Sequence, residues 1–353
     1  MTTVNVQPRT RPVSVQTHAM PRISVIVPVR NEADYIADTL AQLLVQDYPP
    51  DRVEILVADG RSTDETRTIV SAIATDHPRV RLLDNPRRLS SAGRNVAVAA
   101  SGGDLILLID GHCQIDNPRY LVDLADAFAR SGADSVGRPQ PLDVRGADWT
   151  QRAIAEARSS FLGHHPDSHI YSDREGFVPP QSVAVAYRRE VFGHIGTFDE
   201  RFDACEDVEF NHRLSRAGLS CFFTPRATVR YQPRDTLPKL FRQMVRYGRG
   251  RVRLLRKHPD TFSLSSIVPA LFLVGVVAGP LLSSAVAALW FVYLGSLVAY
   301  AAVVCTASLR CAARSRQPAL IALLPAVFVT VHLGAGWGLC CEAVAGLFAR
   351  KSG

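Results

Sequence analysis

From Leu264 to Leu309 the chain runs for about 46 residues without one formally charged side chain. One crossing of the bilayer's hydrocarbon takes about 20 apolar residues of helix. The stretch therefore predicts two membrane-spanning helices joined by a tight turn at Ser283 and Ser284. A third apolar stretch, Pro318 to Cys341, is interrupted only by His332. Up to about Lys257 polar and apolar residues are mixed, as in a fold that meets water. The expected organisation is a leader over 1–21, a soluble domain over 22–235, a basic amphipathic helix over 236–260 and an anchor of about three transmembrane helices over 264–348.

The first residues contain no apolar core of the length a secretory signal needs, so the soluble domain is expected to stay inside the cell. Arg310, Arg314 and Arg316 lie between the second and third apolar stretches, and positive loops favour the cytoplasmic side. Both observations predict a multi-pass protein of the cytoplasmic membrane with its soluble domain on the cytoplasmic face. A third span would leave Arg350 and Lys351 outside, a conflict that a re-entrant or interfacial last segment removes. The formal charge of +7 is local. Eight positive residues, from Lys239 to Lys257, have no acid among them, and the rest of the chain is close to neutral. A basic helix beside a membrane fits anionic lipid, or a phosphate-bearing substrate at its surface, better than nucleic acid; a merely topogenic flank is the plainer reading. The seven cysteines form neither a C-x-x-C pair nor a disulfide framework, as in a reducing compartment.

In the first half, short aliphatic runs alternate with helical patterns: "ISVIVPV" before a helix from about Glu32, "VEILVAD" before one from about Asp64, "RVRLLD" before one near Ser91, then "DLILLID". Strands apolar on both faces and separated by amphipathic helices predict a parallel sheet covered on both sides. In such sheets ligands gather at the carboxyl ends of the strands. Three of those ends carry acids: Glu32, Asp59 and Asp64, and Asp110 followed by Gly111 and His112. A metal–phosphate ligand suits them, although strand ends are polar in any fold. No glycine-rich dinucleotide fingerprint or P-loop is present. Arg94, in "SSAGRN", can supply positive charge instead, and a cation is the other means of neutralising a diphosphate.

Six blocks, "ISVIVPVRNEADYI", "VEILVADGRSTDET", "SSAGRNVAVAASGGDLILLIDGHC", "YRREVFGHIGTFDERF", "EDVEFNHRLSRAG" and "QMVRYGRGR", resemble in order and spacing the family 2 glycosyltransferases of GT-A fold. The similarity is greatest to membrane-anchored bacterial enzymes of the succinoglycan-glucosyltransferase type, and it covers about Ile23 to Arg253. The resemblance implies a Rossmann-like, mostly parallel α/β catalytic domain followed by transmembrane helices. By position it places Pro28 and Glu32 beside the nucleoside, Asp59 at the base edge and Arg94 near the diphosphate. Asp110 and His112 stand at the ends of the D-x-D element, with histidine where a second aspartate is common. Gly60 replaces the usual second acid of the Asp59 motif. Glu206 and Asp207 match the acidic pair that supplies the catalytic base. Gln243, Arg246 and Tyr247 match the Q-x-x-R-W element with tyrosine for tryptophan.

The chemistry is consistent with those assignments. A nucleotide diphosphate leaves as an anion, and a divalent cation, Mg²⁺ or Mn²⁺, offsets the charge. Oxygen ligands suit both ions, and Mn²⁺ also accepts imidazole. His112 reads either as a ligand or as a phosphate hydrogen-bond partner. Inversion requires a carboxylate to take the acceptor's proton, the role expected of Asp207, although an acid at a helix start is also favoured by the dipole alone. His164, His165 and His169 read as an acceptor loop rather than a metal site. The expected partners are a nucleotide-sugar donor, UDP-sugar first, a membrane-associated or lipid-linked saccharide acceptor for surface polysaccharide, and membrane lipids. Two readings compete: transfer to polyprenyl phosphate itself, and a non-catalytic nucleotide-sugar-binding scaffold.

Overall fold

The computed structural model describes residues 20–164 and 168–349, so the expected leader up to residue 19, His165, Arg350 and Lys351 lie outside the described residues. The described chain forms two compact units, one of residues 20–140, 169–201 and 206–231, the other of 141–164, 168, 202–205 and 232–349.

The first unit is built on ten strands: β1 (Ile23–Val29), β2 (Val53–Asp59), β3 (Val80–Asp84), β4 (Leu105–Leu108), β5 (Cys113–Gln114), β6 (Ser135–Gly137), β7 (Gly176–Phe177), β8 (Ala184–Arg188), β9 (Cys221–Phe223) and β10 (Arg230–Tyr231). Eight form one sheet in the order β3-β2-β1-β4-β8-β6-β9-β7, and β10 pairs with β5 in a small second sheet. The first four are parallel; β8 enters antiparallel between β4 and β6. The aliphatic runs have the two-sided logic of a covered sheet. Val25, Val27, Ile55, Val57, Leu105 and Leu107 enter one core cluster, while Ile26, Leu56, Ala58, Ile106 and Leu108 enter the other. On the first face they meet α1 (Ile36–Leu44), α2 (Thr66–Asp76) and α4 (Tyr120–Ser131); on the second they meet α3 (Ser90–Ala100), α6 (Arg189–Ile195) and α7 (Glu206–Arg216).

Helix α1 begins four residues later than the sequence pattern suggested. The backbone N–H groups of Asn31, Glu32 and Ala33 are taken by the side chains of Ser62, Thr66 and Asp64 across the strand ends, so this segment is tied to its neighbour instead of coiling. Asn31 itself adopts a φ of +57°.

The second unit holds α5 (Trp149–Arg158), α8 (Leu237–Lys257), α9 (Leu264–Ala285), α10 (Leu289–Ser315) and α11 (Leu324–Ala349). The last three are long and apolar enough to cross a membrane. The expected turn at Ser283 and Ser284 falls later, between α9 and α10. Ser284 Oγ donates to the Leu281 carbonyl inside the helix, so that hydroxyl supplies no break.

Helix α8 differs from expectation in its surroundings. Its apolar stripe, Leu240, Met244, Gly248 and Leu254, is buried. The partner is α11, whose Gly334 and Gly338 bring the two backbones together: a methyl at Gly334 would lie 2.8 Å from Met244 Cβ, and one at Gly338 would fall on the Val245 carbonyl oxygen. Small residues four apart are the means by which helices approach this closely. Arg253 then pairs with Glu342 at 3.1 Å. Replacing Gly338 with alanine is expected to force the helices apart at a cost of about 1–3 kcal/mol, the usual range for overpacking. A thermal melt of the detergent-purified variant should show a transition lowered by several degrees.

Candidate active site

The parallel register sets Val29, Asp59 and Asp84 side by side, so the ends of β1, β2 and β3 open on one rim, and the loop after β4 joins them. Asp59 is fully buried there. Its carboxylate accepts from Ser62 Oγ (2.6 Å), from the Ser62 backbone N–H (3.2 Å) and from Arg67 Nη1 (3.1 Å). Those bonds close the β2–α2 loop, with Arg61 held at a φ of +55°. Pro28, half-buried in β1, packs beside Gly93 of α3.

At the end of β4 the chain turns through Asp110, Gly111 and His112. Gly111 presses on the end of β1: a methyl there would lie 2.8 Å from Val29 Cγ1 and 3.2 Å from Glu32 Cγ. The glycine lets the loop seat on β1. That seating brings His112 Nδ1 to 3.0 Å from Glu32 Oε1. The imidazole lies edge-on to Tyr35 and Tyr231, with ring centroids 6.4 and 6.2 Å away. Behind the loop, Arg138 is fully buried between the Tyr120 and Tyr231 rings and donates to Tyr231 Oη at 3.3 Å.

Arg94 gathers the remaining residues. Its guanidinium, on α3, is almost fully buried, with Nη1 3.3 Å from Glu206 Oε1 and Nη2 3.7 Å from Asp110 Oδ1. It also lies over the Phe198 ring at 5.4 Å. Neither Nε nor Nη1 makes a hydrogen bond among the described residues. Burial works against its charge, but Glu206, Asp110 and Asp207 together hold its pKa above the ordinary value. Helix α7 begins at Glu206, fixed beneath by Phe210, which stacks on Phe198 at 4.4 Å. Asp207 is exposed and accepts from the Val208 N–H at 2.8 Å. Glu206 is buried; burial raises its pKa, Arg94 pulls it back, and the negative charge of Asp207 raises it further, leaving it above the ordinary 4.5.

Four of the residues picked out from sequence, Arg94, Asp110, Glu206 and Asp207, thus share one electrostatic cluster. Glu32 and His112 form a contact pair, and Asp59 lies in its own hydrogen-bonded loop. Gln243, Arg246 and Tyr247 belong to α8 of the second unit. There Gln243 Nε2 donates to Tyr247 Oη at 3.3 Å, and Arg246 donates to the Asp203 carbonyl at 2.8 Å. His164 Nε2 lies 3.4 Å from the Ser168 carbonyl. The sequence did not point to Phe198, Tyr231 or Arg138. A lone aromatic or arginine has no periodicity to betray it; Phe198 lies inside the quoted block "YRREVFGHIGTFDERF", but nothing there singles it out.

The fold has a polar rim at the strand ends with a charged cluster beside it, and comparison with known proteins gives the family. The chain belongs to glycosyltransferase family 2: residues 21–250 match the family model described as "Glycosyltransferase like family 2". It is 35% identical over 247 residues to the succinoglycan biosynthesis protein ExoA of Rhizobium meliloti, a match covering 69% of this chain and 73% of that protein. It is 24% identical over 245 residues to a dolichyl N-acetyl-alpha-D-glucosaminyl phosphate 3-beta-D-2,3-diacetamido-2,3-dideoxy-beta-D-glucuronosyltransferase of Methanococcus voltae, covering 67% of this chain and 74% of that one. The mannosyltransferase PcManGT of Pyrobaculum calidifontis, solved with GDP-Man and Mn²⁺, shares the fold with a TM-score of 0.56 at 22% identity, over 96% of this chain and 91% of that one.

The raised Glu206 pKa has a consequence for stability. A carboxyl whose pKa is higher folded than unfolded contributes stability that is complete below the ordinary 4.5 and is lost as pH rises through the folded value. Glu206→Gln mimics the protonated form and abolishes that loss. Its melting temperature relative to the native protein is therefore expected to climb as pH is raised from 4.5 to 8. A difference that stays flat over this range would contradict the assignment.

Proposed function

We propose that this enzyme transfers a sugar, with inversion, from a UDP-sugar to a lipid-linked saccharide at the membrane in surface-polysaccharide synthesis. The observation that carries the reading is the buried Arg94 guanidinium. It stands between an acid at the strand end, Asp110, and the acids at the start of α7, and its Nε and Nη1 make no hydrogen bond among the described residues. A diphosphate oxygen is the acceptor such a cation suits, and Arg binds phosphate with several donors at once. The name of the Rhizobium relative supports polysaccharide synthesis, and that of the Methanococcus relative supports a polyprenyl-phosphate-linked acceptor.

A divalent metal fits the residues at the β4 loop. Metal-ligating histidines characteristically offer their second nitrogen to a carboxylate, and His112 Nδ1 is so placed against Glu32. A direct bond from this ring to a cation would run through Nε2. Asp110 and His112 would hold the ion; a carboxylate beside an imidazole suits Mn²⁺ better than Mg²⁺, and Mn²⁺ is the ion named with the Pyrobaculum enzyme. When bound, the cation would supply charge neutralisation for the departing diphosphate. Arg94 adds a preorganised positive charge from the protein side. Asp207, exposed at the start of α7, takes the proton of the acceptor hydroxyl. Glu206 faces Arg94 at 3.3 Å and helps to hold the guanidinium in place. Asp59 reads the base only if Ser62 or Arg67 yields part of its carboxylate; otherwise it shapes the loop on which the base rests. Gln243, Arg246 and Tyr247 are proposed to contact substrate from α8.

The membrane helices are proposed to cross as a pair. In their most apolar windows α9 and α10 bury 0% and 6% of residues inside the protein, against 44% for α11. Helix α11 is sheathed by α8 and carries Glu342 in an ion pair. A hairpin of two spans with α11 as a packed interfacial helix keeps both ends of the anchor on the cytoplasmic side. It also removes the conflict that three spans would create for Arg350 and Lys351.

Two measurements test the activity. Release of UDP from UDP-sugars in the presence of membrane extract is expected to stop with a chelator and return with Mn²⁺. Asp207→Asn is expected to reduce transfer by about a hundred- to ten-thousand-fold, the usual contribution of a general base, while UDP-sugar affinity stays within a few-fold of native. An active Asp207→Asn enzyme would remove the base from the scheme, and no turnover of any donor by the native enzyme would favour a binding scaffold.

A further inference from the structure

The second unit contains a groove that the transfer chemistry does not use. It has a volume of about 540 Å³ and is walled by Val303 and Ala307 of α10 and by Phe161 and Leu162 of the loop after α5. Arg310 and Arg314 of α10 also line it. Positions 303, 307, 310 and 314 recur at intervals of three and four, so they line one face of the helix. From Val303 to Arg314 that face runs about 16 Å, at about 1.5 Å per residue.

The groove's polarity is graded along the membrane normal. Helix α10 has 27 residues, a length of about 40 Å against a hydrocarbon core of about 30 Å. About two turns must therefore project beyond the hydrocarbon, and the basic C-terminal end is the one that can do so without burying charge. This places Arg310 and Arg314 at the depth of lipid phosphates and Val303 among the chains. The two arginines are not equivalent. Arg314 is fixed by Ser159 Oγ at 2.6 Å and Glu156 Oε2 at 3.2 Å, its charge largely matched. Arg310 is exposed and makes no hydrogen bond or ion pair with the described residues.

We infer that this groove binds the single-chain anionic lipid that carries the acceptor, a polyprenyl phosphate or diphosphate, with its phosphate on Arg310 and the first isoprene units along Val303 and Ala307. The inference rests on the lipid-linked acceptor and the membrane placement proposed above and adds the site. The occupant is chosen by shape and charge together. The apolar walls take a hydrocarbon chain, which a soluble anion would leave unmatched, and the proposed acceptor carrier is the anionic lipid that brings one chain with its phosphate. The unmatched charge of Arg310 at the mouth calls for a phosphate.

The test uses the full-length protein in phosphatidylcholine nanodiscs and a benzophenone-bearing farnesyl diphosphate as probe. Photolabelling is expected on peptides containing 160–162 and 302–314 and should be suppressed by undecaprenyl phosphate. Arg310→Glu is expected to lower labelling by tenfold or more, and Ala307→Trp to abolish it by filling the channel. Arg316→Glu, the same charge change outside the groove, should leave it unchanged. Melting temperatures of all three variants establish that they are folded. Native labelling by Arg310→Glu would overturn the site. Equal suppression by phosphatidylglycerol would show an ordinary lipid contact, and suppression by inorganic pyrophosphate alone would show a headgroup site without a chain; either outcome overturns the choice of occupant. Acceptor-independent UDP release, measured on the same preparations, reports the donor chemistry separately. Absence of this release leaves the labelling result untouched, so UDP-sugar binding is measured on the same preparations: its absence in the native protein would sink the nucleotide-sugar reading, and its survival in Arg310→Glu distinguishes loss of the lipid from loss of the donor site.

Discussion

The buried guanidinium of Arg94 is the interaction around which the catalytic unit is arranged. A cation almost out of contact with water needs opposite charge close by, and removing such a partner costs about 3–5 kcal/mol. Three acids from two elements answer it: Asp110 beyond β4, and Glu206 and Asp207 at the start of α7. Because these elements come from separate parts of the sequence, the arginine fixes the tip of the fourth strand relative to the start of α7. The Phe198–Phe210 stack supports both sides of that arrangement, one ring under the guanidinium and the other within α7. The hydrogen bonding of Arg94 is incomplete, since Nε and Nη1 make no hydrogen bond among the described residues. Unused donors on a preorganised guanidinium are what the proposed diphosphate site would draw on.

Much of this was legible in the sequence because it follows from period and position. The aliphatic runs alternate between two cores at a period of two, and their ends put Asp59 and Asp110 on one rim whatever the loops do. The quoted blocks carried the assignments of Arg94, Asp207 and their neighbours. What could not be read was the pairing of side chains across elements. Nothing in "VRNEADYI" and "IDGHC" says that Glu32 and His112 touch; that contact depends on Gly111 seating against Val29. Nor could Asp59 be seen as fully enclosed, since its enclosure comes from Ser62 and from Arg67, which swings back from α2.

The basic helix illustrates the same limit at larger scale. Its arginines and its apolar stripe were both visible, and an amphipathic helix with that pattern suits a lipid surface as well as a protein partner. The choice was made elsewhere, by Gly334 and Gly338 ninety residues downstream. Two glycines four apart on α11 offer α8 a trough in which backbone contact is possible, and Glu342 offers Arg253 a charge. Helix α11 is long and apolar enough to cross a membrane, like α9 and α10. Its burial in the folded unit is greater, 44% of its most apolar window against 0% and 6%.

Charge at the β4 loop completes the logic of the site. Where the family commonly has two aspartates, this chain has Asp110 and His112, and the fully buried Arg138 lies behind them with Tyr120 and Tyr231 as its aromatic walls. Arg138 forms no ion pair among the described residues, so its desolvation is offset only by the faces of two rings and one tyrosine oxygen. A loop with one fewer negative charge and a cation beneath it attracts a metal ion less strongly than a pair of carboxylates would, but it repels a diphosphate less. In the proposed scheme the guanidinium groups of Arg94 and Arg138 would take over part of the work that a second aspartate does through the cation it holds. The histidine would then redistribute charge between ion and protein, with Glu32 in contact with the ring at 3.0 Å.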